Sequence, residues 1–244
     1  MSTNRAARFA AVMNVGVVLV AAGSGTRMGG TDKGALEMNG QSALSYALRA
    51  FAPVSQSVVV VVAADRVAAW NAIRASEAWP ALTEIIPGGV VRQESVRIGI
   101  AALGTGGDCE IVVIHDGARP LVTTAMIRAC IAGAERAGAA ILAVPVTDTI
   151  KRVRDGRIIE TVDRASLWAA QTPQAFRWQL LHDAFDWSDR LGSAPTTDEA
   201  SLVEAYGHPV AVVRGGRTNI KITEPDDLVM ARALLNSRIG QSNE

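Results

Sequence analysis

At 244 residues and 49% hydrophobic content, the chain can bury one sizeable core, and a single domain over 13–244 is the natural reading. Its 24 basic and 24 acidic residues cancel, which leaves no basic excess for nucleic acid and no acidic tail for disorder. Two distant cysteines, Cys109 and Cys130, and three histidines without ligand spacing argue against a disulfide scaffold or a zinc site. They suit core thiols in a reducing, cytoplasmic compartment, and no apolar run approaches the ~20 residues of a membrane span.

The N-terminus carries two arginines before an apolar run, which mimics a secretory leader. Cleavage after Ala22 would destroy the loop that follows. Residues 1–12 therefore read as a flexible extension, with Met13 as an alternative start. Val17 to Ala22 reads as a strand buried on both faces. Small and basic residues come next: Gly23, Ser24, Gly25, Thr26, Arg27, Gly29, Gly30 and Lys33. Glycines let backbone N–H groups approach an anion, Arg27 can fork onto a phosphate, and Lys33 adds a point charge. The stretch is not G-x-G-x-x-G, because Met28 replaces the third glycine, and it is not a P-loop, because no G-K-[ST] occurs. Its G-x-G-x-R and following lysine resemble the sugar-nucleotide and alditol-phosphate nucleotidyltransferases.

An amphipathic helix is expected from about Gln41, and a second buried strand over Ser57 to Ala63. Asp65 to Glu77 reads as a helix capped by Asp65. Thr83 to Ile86 is a short strand ending in Pro87-Gly88-Gly89, and Glu94 to Leu103 a helix. Glu110 to Ile114 is a strand that runs into HDGARP. Thr123 to Ala137 is a helix, and Ala139 to Val144 the next strand. Alternation of apolar strands with helices predicts an α/β, Rossmann-like, mostly parallel sheet with helices on both faces. From Thr147 the pattern alternates around Asp155-Gly156, the signature of a projecting β-hairpin arm. Leu167 to Gln171 reads as a return to the core. Helices over Trp178 to Trp187 and Asp198 to Tyr206, a strand over Val210 to Val213, and a final helix over Pro225 to Asn236 complete the chain, with 240–244 expected to fray.

Open parallel sheets bind ligands at the carboxyl ends of their strands. The loops at 23–33 and 115–120 fall there, and so does 219–221. Asp116 is placed to hold Mg²⁺ beside phosphates or, alternatively, to cap the next turn. Arg119 is a phosphate candidate or a surface arginine. Gly88 and Gly89 allow a base to lie on the backbone, with Arg92 and Ser95 beside it. Lys221, flanked by isoleucines, reads as strand-like, its charge either solvated or aimed at a site.

AAGSGTR, GGxxRxxSV, HDGARP, PVTDTIKRV, VDRxxLWxAQTPQAF, TDEASL and NIKITxPDDL follow one another from residue 21 to residue 228. In this order they resemble the 2-C-methyl-D-erythritol 4-phosphate cytidylyltransferases of the non-mevalonate isoprenoid pathway. The resemblance implies that CTP and methylerythritol phosphate give CDP-methylerythritol and pyrophosphate with Mg²⁺ or another divalent cation. It implies a homodimer through an arm at 147–164, and no nucleic-acid or membrane partner. By motif match, Arg27, Lys33 and Lys221 carry the catalytic charge. Ala21, Ala22, Gly23, Ser24, Gly25, Gly89, Ser95 and Asp116 bind CTP, with Asp116 also the metal residue. Arg119, Thr149, Arg164 and Thr172 meet the acceptor, Thr149 and Arg164 from the partner's arm.

The residue types suit that chemistry. A phosphate oxyanion needs no general base, so cations and positioning carry the rate. Two positions depart from the family. Asp32-Lys33-Gly34 stands six residues after Arg27, where P-K-Q is usual at seven, and is phrased more like the molybdenum-cofactor nucleotidyltransferases. Val90 stands where an acidic residue is common. The alternatives are a cytidylyltransferase for another polyol phosphate such as ribitol 5-phosphate, a molybdopterin nucleotidyltransferase, and an inactive nucleotide-binding relative.

Overall fold

The first apolar run forms β1 (Val15–Ala21), whose alternate side chains enter opposite cores. The computed structural model describes residues 13–23, 32–77, 79, 81–104, 109–192 and 194–241; the extension expected at 1–12 lies outside them. A small hairpin, β2 (Glu37–Met38) and β3 (Gln41–Ser42), precedes α1 (Ala43–Phe51). The helix thus starts two residues beyond the expected Gln41, where the Ser42 hydroxyl accepts from Ser45 N–H and caps it. β4 (Ser57–Val62) follows, then α2 (Val67–Ser76). Asp65 does not cap α2: it lies inside a 3-10 turn, Ala64–Arg66, and the N-cap of the helix is Arg66, which makes no side-chain capping bond.

β5 (Leu82–Pro87) leads to α3 (Arg92–Ala102), and β6 (Ile111–Asp116) to α4 (Thr124–Ala137), capped by Thr123. β7 (Ala139–Pro145) comes next, followed by the arm strands β8 (Ile150–Arg154) and β9 (Arg157–Val162). Asp155 and Gly156 take φ of 49° and 73°, the two left-handed residues of a tight hairpin turn. β10 (Trp168–Arg177) and α5 (Trp178–Leu191) follow, then α6 (Glu199–Ala205), β11 (Ala211–Arg214) and α7 (Pro225–Gln241). The final helix runs past Asn236 into the stretch expected to fray.

Seven strands form one sheet in the order β11-β7-β10-β6-β1-β4-β5. Every pairing is parallel except those of β10, which runs antiparallel to β6 and β7. One face buries Val17, Leu19, Val58, Val60 and Val113 under α1, α2 and α4, through Leu48, Trp70 and Ile127. The other buries Val18, Val59, Val61 and Ile114 under α3, α5 and α6, through Val96, Leu181 and Leu202. α7 closes a third, smaller core in which Met38, Leu121, Ile222 and Leu235 meet.

Two readings are corrected here. The stretch expected to return to the core at Leu167 to Gln171 is largely exposed over Trp168, Ala169 and Ala170. Burial begins at Gln171, and the largely polar QTPQAF segment is the buried part of β10. The residues around Lys221 form no strand either.

Candidate active site

A cavity of about 400 Å³ opens at the carboxyl ends of β1, β5 and β6. Ala21, Ala22 and Gly23 line one side, Gly89, Val90 and Ser95 another, and Lys33, Arg92, Asp116 and Lys221 supply the charge. Nine of the candidate site residues singled out in the sequence therefore meet at one place: Ala21, Ala22, Gly23, Lys33, Gly89, Arg92, Ser95, Asp116 and Lys221. Ser24, Gly25 and Arg27 lie outside the described residues.

The base-side wall is built by α3. A Cβ at Gly88 would fall 2.6 Å from Ala22 Cβ and 2.7 Å from Ser95 Oγ, so only glycine lets the β5 exit lie against β1. Gly89 N–H donates to Ser95 Oγ at 3.1 Å, and Val90 N–H donates to Glu94 Oε2 at 2.7 Å. The Glu94 side chain, one helical turn on from Val90, thus folds back over Gly89. Val90 itself is 97% exposed.

Asp116 forms the floor. It is buried at the end of β6, and its Oδ2 meets Lys221 Nζ at 2.8 Å and Arg119 Nε at 3.8 Å. Oδ1 meets Arg92 Nε at 3.4 Å. Burial alone would raise this carboxyl, but Lys221, then Arg92, hold it down at about 2. Asp116 is therefore ionised throughout the physiological range, and its charge is already shared among three cations.

Beneath the floor, a chain of buried hydrogen bonds fixes Asp116. Asp116 N–H donates to Thr172 Oγ1 at 3.0 Å, and Thr172 Oγ1 lies 3.1 Å from His115 Nδ1. His115 Nε2 is 3.1 Å from the Arg119 carbonyl, which can only accept, so Nε2 carries the proton and Nδ1 accepts from the Thr172 hydroxyl. Burial is the main reason that His115 is pushed down to about 4 and stays neutral, against the opposing pull of Asp116. The Phe51 ring packs on it at 5.1 Å.

Lys221 is positioned by a loop, not a strand. Ile222 N–H donates to the Ala118 carbonyl at 2.8 Å and its side chain is buried. Asn219 Nδ2 donates to the Thr172 carbonyl at 2.9 Å, while the Asn219 carbonyl accepts from Arg119 Nη1 at 2.8 Å. Asn219 was legible only as part of NIKIT; here it ties the Lys221 loop to β10. Lys33 Nζ donates to the Thr223 carbonyl at 3.2 Å. Asp32, the departure beside it, holds the turn: Oδ1 accepts from Gly34 N–H at 3.0 Å and Oδ2 from the Trp70 indole at 2.8 Å.

Arg119 and Thr172 do not line the cavity; they back its floor, and each already has partners within the chain. Thr149 and Arg164 do not line it either. They stand at the base of the hairpin, where Arg164 donates to the Thr147 carbonyl. Sequence reasoning put Arg92 beside the base and gave TDEASL no role. Arg92 does line the cavity beside Gly89 and Ser95, and it also reaches the TDEASL segment, where its Nη1 donates to both oxygens of Glu199, at 2.9 and 2.8 Å.

Among the described residues, no group of three or more histidines, cysteines or acids is placed to hold a metal ion. A magnesium ion carried on phosphates takes only one or two protein carboxylates, and Asp116 is the carboxylate among the residues lining this cavity.

The model of the family 2-C-methyl-D-erythritol 4-phosphate cytidylyltransferase matches residues 15–237. A protein of that name from Bacillus licheniformis is 42% identical over 228 residues, which cover 92% of this chain and 97% of that protein. The crystal structure of a protein with the same name from Thermus thermophilus is 33% identical with a TM-score of 0.73, covering 91% of this chain and 98% of that one. The 4-diphosphocytidyl-2C-methyl-D-erythritol synthase structure from Anaerococcus prevotii has a TM-score of 0.78 at 26% identity and covers 93% and 100% of the two chains.

Proposed function

The chain belongs to the 2-C-methyl-D-erythritol 4-phosphate cytidylyltransferase family of nucleotidyltransferases, and we propose that it transfers the cytidylyl group of CTP to methylerythritol phosphate in isoprenoid precursor synthesis. The observation that carries this reading is the meeting of Ala21–Gly23, Gly89, Ser95, Lys33, Lys221 and Asp116 around one cavity. Backbone and hydroxyl groups at Gly89 and Ser95 suit the edge of a base. Lys33 and Lys221 suit the triphosphate, to which the motif match also assigns Arg27, Ser24 and Gly25.

An acceptor phosphate oxygen attacks the α-phosphorus of CTP, and the bond to pyrophosphate breaks. The nucleophile is already an anion, so the chain need supply no general base. Lys221 and Lys33 offset charge that builds on the phosphates, the kind of preorganised electrostatics that dominates such reactions. Mg²⁺, or another divalent cation, supplies further neutralisation when bound, with Asp116 the residue to hold it.

The acceptor side of the site belongs to this proposal too. Val153, Ile158 and Ile159 leave 56%, 63% and 49% of their surface exposed on the arm, and an isolated hairpin is marginal in water. A second copy of the chain is the simplest cover, in a two-fold dimer. Arg164 and Thr149 at the arm's base would then enter the partner's cavity and bind the acceptor phosphate, with Arg119 and Thr172 shaping the floor. Residues 13–244 act as one nucleotidyltransferase domain carrying this arm. A cytoplasmic setting goes with the reading: Cys109 and Cys130 are free thiols, and no helix among the described residues is long and apolar enough to cross a membrane.

The test is pyrophosphate release with methylerythritol phosphate and each nucleoside triphosphate in turn. CTP should be preferred by at least ~10²-fold, as a site built to hydrogen-bond one base discriminates. A preference for GTP, or equal turnover with ribitol 5-phosphate, would overturn the assignment.

A further inference from the structure

Glu199 opens α6 and is 1% exposed. A carboxylate is rarely buried so far without a partner that fixes it. Its seat is over-determined. Gln174 on β10 donates through Nε2 to Asp198 Oδ2 at 2.8 Å and accepts Ala200 N–H at 3.2 Å. Asp198 caps the helix by accepting Ser201 N–H at 3.0 Å. The sheet therefore holds the first turn of α6, and the turn holds the carboxylate against Arg92.

Arg92 has two acidic neighbours and treats them unequally. Its Nη1 chelates Glu199 at 2.8 and 2.9 Å, while its Nε stands 3.4 Å from Asp116 Oδ1, long for a charge-assisted bond. Asp116 is otherwise engaged through Oδ2, by Lys221 at 2.8 Å. Oδ1 is thus the carboxylate oxygen with the weaker claim on it, at the edge of the cavity that Arg92 also lines. Without Glu199 the guanidinium would be free to swing onto Asp116 and close both oxygens in a fork, the preferred geometry of an arginine–carboxylate pair.

We propose that Glu199 is a positioning residue for the nucleotide site: by competing for Arg92 it keeps Oδ1 of Asp116 open to the bound nucleotide. The proposal rests on the reading of this cavity as a CTP site. It gives the TDEASL segment a task, and it makes the Gln174 clamp part of the same device.

Calorimetric titration of the full chain with CTP, without acceptor, tests it. Glu199→Gln keeps the side-chain shape and removes the competing charge. It should raise the Kd for CTP roughly tenfold, the size of one lost charge-assisted contact, while kcat at saturating CTP stays within about threefold. The double variant Glu199→Gln/Arg92→Met removes the intruding cation as well and should recover at least about threefold of that loss. A merely structural Glu199 would show no such recovery. Gln174→Ala supplies an arm that does not need Glu199→Gln to fold. It loosens the seat without touching either charge, and its weaker CTP binding should likewise be relieved by Arg92→Met. Equal Kd values for wild type and Glu199→Gln, or no recovery in either Arg92→Met background, overturn the proposal. Failure of the wild type to bind CTP would instead overturn the functional reading beneath it.

Discussion

The floor of the cavity and the projecting arm are built on opposite terms. At the floor, Asp116, His115 and Thr172 are buried, and each finds its partners inside its own chain. On the arm, Val153, Ile158 and Ile159 are exposed, and the polar pairs, such as Arg152 to Glu160 at 2.7 Å, join only the two strands of the hairpin. A buried ion pair lacking one member is costly, whereas an exposed pair is worth little. The floor therefore behaves as a finished part. The arm leaves Val153, Ile158 and Ile159 uncovered by its own chain, and the proposed dimer is what would cover them.

Removing a charge from the finished region should produce the largest effect. Lys221→Ala deletes the closest cation of Asp116 and should lower kcat by roughly 10²- to 10³-fold, as loss of one preorganised donor does. A rise in KM for CTP at unchanged kcat would remove Lys221 from the reacting phosphates.

The arm should respond differently. Arg164→Ala should raise KM for methylerythritol phosphate by roughly 10- to 100-fold, the range for a lost hydrogen bond to a charged group, and leave CTP binding nearly unchanged. Mixing Arg164→Ala with Lys221→Ala subunits should restore activity, because one of the two sites in the mixed dimer is intact. A monomer by light scattering at micromolar concentration, or no recovery after proven subunit exchange, would end the contrast between the two regions.

The smallest effect is a slope with pH. His115 sits at about 4 in the folded chain against an ordinary 6.5. Its folded value is depressed, so below pH 6.5 the unfolded chain takes up a proton that the folded chain refuses. Stability falls as pH drops from 6.5 toward 4, by about 2 kcal/mol at pH 5. Asp116, held at about 2, adds its own loss only below 3.8. Glu199, raised mainly by burial, contributes with the opposite sign. Urea unfolding of wild type and His115→Gln from pH 7 to 4 isolates the histidine part. An equally steep profile in the variant would show that the buried imidazole is not its source.

The alternating apolar runs from Val17 onward were enough to determine an α/β sheet with helices on both faces, because a strand covered on both sides must be apolar throughout. The glycine loop, Gly89 and Asp116 could be picked out because parallel strands deliver their carboxyl-end loops to one edge, whereas the role of Lys221 came from the motif match. The Asp155-Gly156 turn was local chemistry and formed as expected. Tertiary structure alone decided the rest. QTPQAF is mostly polar and becomes core only because β10 is set antiparallel between β6 and β7, where Gln174 and Thr172 are buried against partners from α6 and β6. Lys221 reads as a strand residue until Asn219 and Ile222 pull its loop onto β10 and Ala118. Arg92 and Glu199 lie 107 positions apart. A buried charge is tolerable only beside its counter-charge, and which distant residue supplies it is settled by the packing of helices on the sheet, not by any local pattern.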